Sequence, residues 1–494
     1  MPTMTEDPAG RVRLVSHRRA LLSRPDAHTD AEPLGVGARG LVSAAGIAVQ
    51  GLVRFVYSVL VGRLLPTGYL ASVNSAISTA MLATLMWPTS IGAAAAKFLA
   101  REAGDVGVRA GLTRHLARLS LLTSVALGVA AGGVTLLWLQ PGEVLTGLLV
   151  GLLTVGWSGY TFVRGVQYAT GRVLRATVWD GLSFVAAVAG LVLVLVFDLR
   201  AWLLLPLAAG YLLYTAAGWP RTGRGPVPPA LRGEINRFVA WGVLGSLATG
   251  GFLQLTMVLA EQTGDAASAD AYAAALTLAT PASMLGSVLS LLLLPALSGA
   301  VGRGDLDLAR RTTDLAHRGL IATVGGVFGV LVVGSDLLVA LIWPDLSAAV
   351  PVLQILLVAT FVLTAGTVVT EAIQSATEHG ARVIAVIRVS GFAVGLGTAF
   401  ALLPALSVTG IAVGYLAGMG VIGTASTVVV WRRDRHAWAP LMLRVAAGAA
   451  LAGGLVWALS TRTTGWLDAA AVAVFAVGWF ALHRKDLLAV AKRS

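Results

Sequence analysis

Long apolar segments, separated by short polar breaks, run through the chain from about residue 40 to its end. A helix that crosses a bilayer needs about 20 mostly apolar residues, and about fourteen segments reach that length. These segments lack the strict alternation of a membrane β-barrel, so the pattern predicts membrane-spanning α-helices. The predicted helices cover residues 40–62, 70–99, 116–139, 144–169, 177–197, 201–219, 237–260, 271–299, 318–343, 350–376, 382–403, 407–431, 440–460 and 466–483.

The second part of the chain repeats short patterns of the first. Tyr69 and Tyr272 each begin a Tyr-x-Ala motif, which leads through a proline-containing apolar stretch to a Gly-Asp pair. The offset of about 200 residues corresponds to six predicted helices, an even number that gives both halves the same orientation. We therefore predict an all-α integral membrane protein with about fourteen transmembrane helices: two six-helix lobes related by a parallel repeat, and two extra C-terminal helices.

The repeat also divides the chain into parts. The predicted parts are a basic tail over residues 1–39, an N-lobe over 40–220, a linker over 221–236, a C-lobe over 237–432 and a C-terminal part over 433–494.

Basic residues concentrate in alternate breaks between the predicted helices. Arg101, Arg172, Arg221 and Arg432 lie in even-numbered breaks, and both termini are basic as well. The odd-numbered breaks hold few basic residues and several acidic ones, such as Glu143. Positive residues remain on the cytoplasmic side, so this alternation predicts a multi-pass protein of the plasma membrane with both termini in the cytoplasm.

Composition excludes several other classes of protein. The mean hydropathy is +0.81 and only 12% of the residues are charged, compared with about 25% in ordinary globular domains. The net charge of +12 comes from residues at helix ends rather than from one patch, so we expect no nucleic-acid partner. The sequence has no cysteine, no phosphate-binding G-x-x-x-x-G-K-[ST] motif and no histidines at metal-ligand spacing, so we predict neither a metal site nor a cofactor.

One polar stripe lies inside the first predicted helix. Ser43, Gln50, Arg54 and Tyr57 follow one another at spacings of 7, 4 and 3 residues, which places them on one face. A charged residue inside a membrane helix is costly and is by default a functional candidate. We predict that this stripe binds substrate, with Arg54 binding an anion such as pyrophosphate. The alternative is a structural arginine bonded to helix-end carbonyls or to a carboxylate.

A second polar face lies on the tenth predicted helix. Its members follow at spacings of 3 and 4 residues: Thr360, Thr364, Thr367, Glu371, Gln374 and Glu378. This face predicts a second cavity lining, with Thr364 and Thr367 as substrate-binding candidates. In the alternative interpretation the hydroxyl groups bond neighbouring helices.

Two pairs of opposite charges flank predicted hairpin turns. Arg164 and Asp180 lie eight residues on either side of the turn between the fourth and fifth helices. Glu371 and Arg388 lie about eight residues on either side of the His379–Gly380 turn, between the tenth and eleventh helices. The signs of the two charges are exchanged relative to the first pair. Equal distance from a tight turn places each pair at equal depth, so each pair is expected to form an ion pair near the cytoplasmic surface. These pairs either neutralise each other structurally or act as a gate.

Several stretches resemble a known family of membrane proteins. They are Arg39-Gly40-Leu41-Val42-Ser43, Val61-Gly62-Arg63-Leu64-Leu65-Pro66, Lys97-Phe98-Leu99-Ala100-Arg101-Glu102 and Arg164-Gly165-Val166-Gln167. In this order and spacing the chain resembles the O-antigen-type repeat-unit flippases of polysaccharide biosynthesis, within the multidrug/oligosaccharidyl-lipid/polysaccharide (MOP) exporter superfamily.

The resemblance implies a function and partners. Two lobes would enclose a central cationic cavity that opens alternately to each side, and Arg54 matches that feature. The substrate implied is a polyprenyl-pyrophosphate-linked oligosaccharide, carried from the inner to the outer leaflet for cell-surface polysaccharide synthesis. Membrane lipids and polysaccharide assembly proteins are the other partners implied, and the protein would not be an enzyme.

Three alternatives stay open at this point. Unpaired arginines in the first helices also resemble the peptidoglycan lipid II flippases. A cation-coupled multidrug antiporter would favour a buried carboxylate in the first or seventh helix, and neither has one apart from Glu261 at an outer end. A membrane-embedded glycosyltransferase or polymerase would favour an acidic or long outer loop, whereas the first outer loop, Arg63–Tyr69, has no carboxylate.

Overall fold

Every regular element of the described chain is a helix. The computed structural model describes residues 36–281, 305–376, 378–460 and 465–491. The first seven helices are α1 Val36–Leu64, α2 Tyr69–Met86, α3 Pro88–Arg101, α4 Val106–Val134, α5 Val144–Ala169, α6 Val173–Val196 and α7 Leu205–Gly218. The next are α8 Pro229–Ser246, α9 Phe252–Thr263, α10 over 266–281, α11 Leu306–Val333, α12 Ser335–Ile342, α13 Ala349–Ala365, α14 Thr367–Ala376, α15 Glu378–Asp434, α16 Ala439–Leu459 and α17 Gly465–Ala491.

Short segments of other helical types join or extend these elements. A π-helix over Thr135–Leu139 prolongs α4, and a second one over Leu247–Gly251 joins α8 to α9. Most of the predicted basic tail, and the last part of the helix predicted over 271–299, lie outside the described residues.

The length and apolar character of the helices make the chain a multi-pass membrane protein. Within the described residues, eleven helical stretches are long and apolar enough to cross a bilayer. The predicted fold class, an all-α integral membrane protein, is confirmed. The number fourteen remains a prediction, because one of the eleven stretches, Arg382–Asp434, is itself a hairpin.

The hairpin inside α15 turns at Ser407, which has φ 48° and ψ −137°. The two arms run antiparallel, since Gly391 packs against the carbonyl of Gly418 and Gly395 packs against that of Gly414. A Cβ atom added at Gly395 would lie 2.8 Å from the Gly414 oxygen. Small residues at these positions therefore allow the close approach of two helices in lipid.

Several predicted helices are interrupted in the structure. The helix predicted over 70–99 breaks at Trp87, and α3 starts at Pro88, where the missing N–H costs no helical hydrogen bond. The helix predicted over 350–376 breaks at Gly366, between α13 and α14. Apolar patterning measures the length of a membrane segment, but it does not report where the backbone bends within that length.

The last two helices pack against α11 through aromatic rings seated on glycines. A Cβ atom at Gly325 would lie 2.3 Å from the Trp479 ring of α17, and one at Gly329 would lie 2.0 Å from the Phe475 ring. The indole N–H of Trp479 donates to the Ala322 carbonyl at 2.7 Å. The α16–α17 pair is therefore attached to the rest of the bundle by the close packing of aromatic rings on glycines as well as by hydrogen bonding.

Two groups of helices, called here the N-half (α1–α7) and the C-half (α8–α15), contact each other at both ends of the bundle. The Gly68 end is the end where α1 finishes and α2 begins. The Arg101 end is the opposite one, where α3 finishes and α8 begins. At the Arg101 end, Arg101 Nη1 lies 2.7 Å from Glu234 Oε1, and the Phe98 and Phe238 rings meet edge to face at 5.6 Å.

Candidate functional site

Arg54 lies in the middle of the bundle, between the N-half and the C-half. Its side chain extends from α1, and only 9% of the residue is exposed. A narrow cavity beside it is lined by Phe55, Ser58 and Asn74 of the N-half and by Leu276, Thr277 and Thr280 of the C-half. Tyr211 of α7 is close enough to interact with it electrostatically.

The Arg54 guanidinium has neither a hydrogen-bond acceptor nor an ion-pair partner among the residues that the structure describes. Burying a charge without a partner is expensive, so such a group is seldom kept for stability alone. An anion entering from the membrane surface would supply the missing partner. The sequence prediction that Arg54 is buried inside the first helix agrees with this placement.

The neighbours of Arg54 in the cavity are fixed by local hydrogen bonds. Ser58 Oγ donates to Asn74 Oδ1 at 3.1 Å, and Asn74 Nδ2 donates to the Leu70 carbonyl at 2.9 Å. In this conformation the cavity has room for about one water molecule. A larger ligand can reach Arg54 only if the N-half and the C-half move apart.

The other members of the predicted stripe bond protein groups. The Tyr57 hydroxyl donates to the Leu203 carbonyl in the segment before α7, and Gln50 Oε1 accepts from Arg164 Nη1 at 3.1 Å. Ser43 is half-buried near the first end of α1. Neither Tyr57 nor Gln50 lines the Arg54 cavity. The structure therefore brings Arg54 together with Ser58 and Asn74, two residues that the helical spacing of α1 alone did not single out.

Arg164 and Asp180 meet inside the N-half. Arg164 Nη2 lies 3.6 Å from Asp180 Oδ2, and the exposed fractions of the two side chains are 12% and 2%. The Tyr160 hydroxyl donates to Asp180 Oδ1 at 2.8 Å, while Arg164 Nε donates to the Tyr168 hydroxyl at 3.1 Å. Side chains of α5 and α6 thus form one buried polar network, and Gln50 of α1 joins it through its hydrogen bond with Arg164.

Arg388 and Glu371 lie close enough in the C-half to interact electrostatically. The guanidinium of Arg388 also reaches α8, since a Cβ atom added at Gly245 would lie 2.7 Å from Arg388 Nη1. A glycine at position 245 therefore makes room for this cation. The arginine connects α15 with α8 as well as with α14.

The polar face predicted for the tenth helix is divided among α13, α14 and α15, which begins at Glu378. Thr364 is buried, and Thr367, which starts α14, is half-buried. Thr360 donates to the Leu356 carbonyl at 2.7 Å, and Thr367 donates to the Leu363 carbonyl at 3.4 Å. The Thr360 hydroxyl is thus bonded within α13, and the Thr367 hydroxyl is bonded back to α13 across the break at Gly366.

Two residues at the Gly68 end connect the halves through backbone groups, which helical spacing does not reveal. Asp270 of α10 accepts from the N–H groups of Gly68 at 2.6 Å and Ala71 at 2.7 Å. Arg63 of α1 donates to the carbonyls of Leu341 and Ile342 at the end of α12. One sequence signal indicates that the start of α2 needs a partner from elsewhere: α2 begins after Gly68, which has no side chain to cap the helix.

Metal-ligating side chains do not cluster in the ranges that the structure describes. No group of three or more His, Asp or Glu residues there is arranged to hold a metal ion. The chemistry available near Arg54 is therefore that of a guanidinium with hydroxyl and amide neighbours.

Comparison with known proteins identifies the fold. No protein-family model and no curated protein matches the sequence. Among solved structures, a MATE protein in complex with MaL6 aligns with a TM-score of 0.60 at 13% identity, covering 80% of this chain and 95% of that one. A multidrug resistance MATE family transporter of the MOP superfamily, in an outward-facing conformation, aligns with a TM-score of 0.58 at 15% identity, covering 80% and 94%. The chain has the fold of the MATE transporters.

A third similar structure shows that this fold is used with more than one kind of pocket. It is a MOP superfamily transporter from Pyrococcus furiosus, described as having a binding pocket of reverse polarity that suggests a different function. It aligns with a TM-score of 0.55 at 15% identity, covering 80% of this chain and 94% of that one. At such identities the likeness establishes the MATE fold, while function has to be argued from the side chains around Arg54.

Proposed function

We propose that this chain is a membrane transporter that moves a polyprenyl-pyrophosphate-linked oligosaccharide from the inner to the outer leaflet of the plasma membrane by alternating access. The product would serve cell-surface polysaccharide synthesis. The observation that carries this proposal is the Arg54 guanidinium, which is buried between the N-half and the C-half without a partner in the described part of the chain.

The charge of Arg54 selects the class of substrate. A planar guanidinium offers several N–H donors in a fork that matches the oxygens of a phosphate group. In a water-poor cavity such a cation attracts an anionic headgroup and repels a cationic drug. Asn74, which lines the same cavity, has a second amide N–H besides the one donated to Leu70, and this donor suits a phosphate or sugar oxygen.

Alternating access is supported by the contacts between the N-half and the C-half. Hydrogen bonds accepted by Asp270 and donated by Arg63 join the halves at the Gly68 end, and the Arg101–Glu234 ion pair joins them at the other end. Apart from the Phe98–Phe238 contact at the Arg101 end, these links are polar, and we expect one set to open while the other remains closed. During such a movement the polyprenyl tail would stay in the bilayer while the headgroup crosses between the halves.

Two alternatives have specific support and are tested by the same experiment. A peptidoglycan lipid II flippase would use the same arginine, because its substrate also carries a pyrophosphate. A cation-coupled multidrug antiporter agrees with the names of the similar solved structures. A membrane-embedded glycosyltransferase or polymerase has no such support.

The test is transport by the purified chain in reconstituted vesicles. The substrates are a labelled polyprenyl-pyrophosphate trisaccharide, labelled lipid II and a fluorescent cationic dye under an imposed ion gradient. The proteins are the parent, Arg54→Ala, Arg54→Lys, and Arg118→Ala as a matched control, since Arg118 is an exposed arginine of α4. Loss of a charge-assisted contact costs about 1.5–3 kcal/mol, or roughly 10- to 150-fold in affinity.

We expect the parent and Arg118→Ala to flip the trisaccharide lipid, Arg54→Ala to lose this activity, and Arg54→Lys to fall between them because it lacks the fork. A parent that flips lipid II instead identifies the first alternative, and one that expels only the dye identifies the second. If Arg54→Ala flips the trisaccharide lipid as fast as the parent, Arg54 is structural and the assigned site is wrong.

A further inference from the structure

A second cavity opens at the Gly68 end of the N-half, apart from the Arg54 site. Its volume is about 400 Å³, within the usual range of about 300–1,000 Å³ for small-molecule pockets. Six polar side chains line it: Tyr69, Ser72, Gln140, Glu143, Thr146 and Arg200. They come from α2, from α5 and from the segments that precede α5 and α7, so separate parts of the chain converge on one space.

The polar wall of this pocket is held in place by its own contacts. Gln140 Nε2 donates to Ser72 Oγ at 2.8 Å, which connects the end of the α4 extension to α2. The Arg200 guanidinium lies 5.8 Å from the centre of the Tyr69 ring, and its Nε donates to Asp198 Oδ1 at 2.6 Å. The positions of the ring and the amide are thus set before any ligand enters.

The floor of the pocket is apolar and buried. Val73, Leu149 and Leu203 line it, and each is 4% exposed. The backbone of Leu203 is also fixed from behind, because its carbonyl accepts a hydrogen bond from the buried Tyr57 hydroxyl. A ligand in this pocket therefore meets an apolar surface below and polar groups around its edge.

The charges around the pocket decide the class of ligand. Arg200 Nε is ion-paired with Asp198, and with Glu143 the pocket has two carboxylates to one guanidinium, a balance that disfavours an anionic ligand such as a phosphate. Glu143 is exposed, does not cap α5 with its side chain and has no ion-pair partner among the described residues. Its carboxylate repels anions and accepts hydrogen bonds from hydroxyl groups.

We propose that this pocket binds sugar units of an oligosaccharide. A sugar ring presents C–H groups on one face and hydroxyl groups around its edge, which matches an apolar floor, an aromatic ring and a rim of Glu, Gln and Thr side chains. The inference deepens the proposed function. Binding of sugars in the pocket does not depend on that function, whereas the identification of the bound oligosaccharide with the transported glycan rests on it.

The position of the pocket connects it with transport. Helix α2 separates it from the Arg54 cavity, because Val73 lines the pocket and Asn74, the next residue, lines the cavity. Charge alternation in the breaks predicts that the Gly68 end faces outward. Sugars bound here would hold the glycan on the outer side once its pyrophosphate has passed Arg54, and would hinder its return.

The test uses the full-length purified chain, which has no native cysteine. A single cysteine replaces Ala201, an exposed residue of the pocket lining, and its rate of alkylation by iodoacetamide is measured. The probes are chitotriose, maltotriose and, as an anionic comparison, sodium pyrophosphate. Thr263→Cys is the control site, because Thr263 is exposed at the same end and lines neither this pocket nor the Arg54 cavity.

We expect at least one trisaccharide to slow the alkylation of Ala201→Cys and to leave that of Thr263→Cys unchanged. Adding Glu143→Gln should raise the trisaccharide concentration needed for half-protection by about tenfold or more, since a hydrogen bond to a charged acceptor is lost. Asp345→Asn, which removes an exposed carboxylate of the α12–α13 loop, should leave that concentration unchanged.

Other results overturn the inference. They are protection by neither trisaccharide, protection by pyrophosphate, or equal protection with and without the Glu143 carboxylate. The assay requires no transport, so its failure is distinct from failure of the proposed function. A chain that flips the lipid without protection of Ala201→Cys contradicts only the pocket, and a chain with protection but no flipping contradicts only the transport proposal.

Discussion

Asp270 accepts a hydrogen bond of 2.6 Å from the backbone N–H of Gly68, although 202 residues separate them in the chain. Gly68 adopts φ 97°, a left-handed conformation that suits glycine, and it precedes α2 without offering a side-chain cap. The carboxylate of the C-half thus replaces the missing cap of a helix in the N-half, where the positive end of the helix dipole favours it. This contact has to break whenever the halves separate at the Gly68 end.

Asp270→Ala should therefore favour opening at the Gly68 end. Hydrogen bonds to a charged group contribute about 1.5–3 kcal/mol, so their loss should shift the closed–open equilibrium by roughly 10- to 150-fold. The measurement is the labelling rate of Ser58→Cys in the Arg54 cavity by an impermeant thiol reagent. The reagent is added on the side that labels Thr263→Cys, a residue exposed at the Gly68 end.

Asp265→Asn is the matched control for this change. Asp265 lies at the same end, but its Oδ1 accepts from the backbone N–H of Ser268 within its own segment, at 2.8 Å. Its loss should leave the labelling of Ser58→Cys unchanged. Equal labelling in Asp270→Ala and in the parent would show that the Asp270 contact does not control opening.

The apolar pattern of the sequence was enough to predict the fold class, because lipid leaves the backbone few options apart from helices. Details within the helices were less accessible. Pro88 was a visible interruption and α3 begins there, and the turn of α15 at Ser407 lies where the predicted helices 382–403 and 407–431 meet, whereas the break at Gly366, inside the helix predicted over 350–376, was missed. The glycine contacts between the two arms of α15 were not predictable either, because such packing depends on which surfaces face each other, and spacing along one helix does not contain that information.

Some residues of the candidate site could likewise be predicted from the sequence, and others could not. A buried Arg54 could be predicted, since charge inside an apolar segment is rare and visible. The partners of Tyr57 and Asp270 could not, because these side chains bond backbone groups of Leu203 and Gly68, and a backbone group leaves no trace in residue identity. The second cavity at the Gly68 end was also missed, since its walls come from distant parts of the chain.

The orientation in the membrane remains a prediction from the charges of the breaks, and single cysteines can test it. Because the chain has no cysteine of its own, each introduced thiol is read without background. Cysteines at Thr67 and Thr263 should react with an impermeant reagent added to intact cells, whereas those at Gly223 and Ala437 should react only after the cells are opened. Labelling at Gly223 in intact cells would contradict both the orientation and the parallel repeat.

Trp479 should be the main residue that attaches α17 to α11. Its ring lies on Gly325 and Gly326, and its N–H donates to the Ala322 carbonyl at 2.7 Å. Replacement of a large buried aromatic residue by alanine costs about 3–5 kcal/mol, so Trp479→Ala should clearly lower the temperature of thermal unfolding in detergent. Trp457→Ala is the control, since Trp457 of α16 is 76% exposed and should change it little.

A second substitution tests whether the effect of Trp479→Ala comes from lost packing. Gly325→Leu alone should also destabilise, because its Cβ would lie 2.3 Å from the Trp479 ring. In the Trp479→Ala background the same leucine should fill part of the space and recover some stability. Equal losses from Gly325→Leu in both backgrounds would show that the two residues do not pack together.

The last prediction concerns the Arg164–Asp180 pair, for which a structural role and a gating role were both left open by the sequence. The pair is buried, and Asp180 keeps its bond to Tyr160 if Arg164 is lost. Removing one member of a buried pair costs about 3–5 kcal/mol, whereas replacing both can be nearly neutral. We expect Arg164→Ala to lower the yield of folded protein and the unfolding temperature, and a second change, Asp180→Ala, to restore part of both.

The exposed pair Arg101–Glu234 is the matched comparison. Each of its side chains is 43% exposed, so its loss should cost no more than about 1 kcal/mol. The decisive quantity is the interaction energy from the double-mutant cycle, measured by thermal unfolding in parallel with lipid flipping. A large interaction energy with normal flipping in the double variant assigns Arg164 and Asp180 to stability. A stable double variant that no longer flips the lipid assigns them to gating, and additive losses would mean that the pair is not coupled at all.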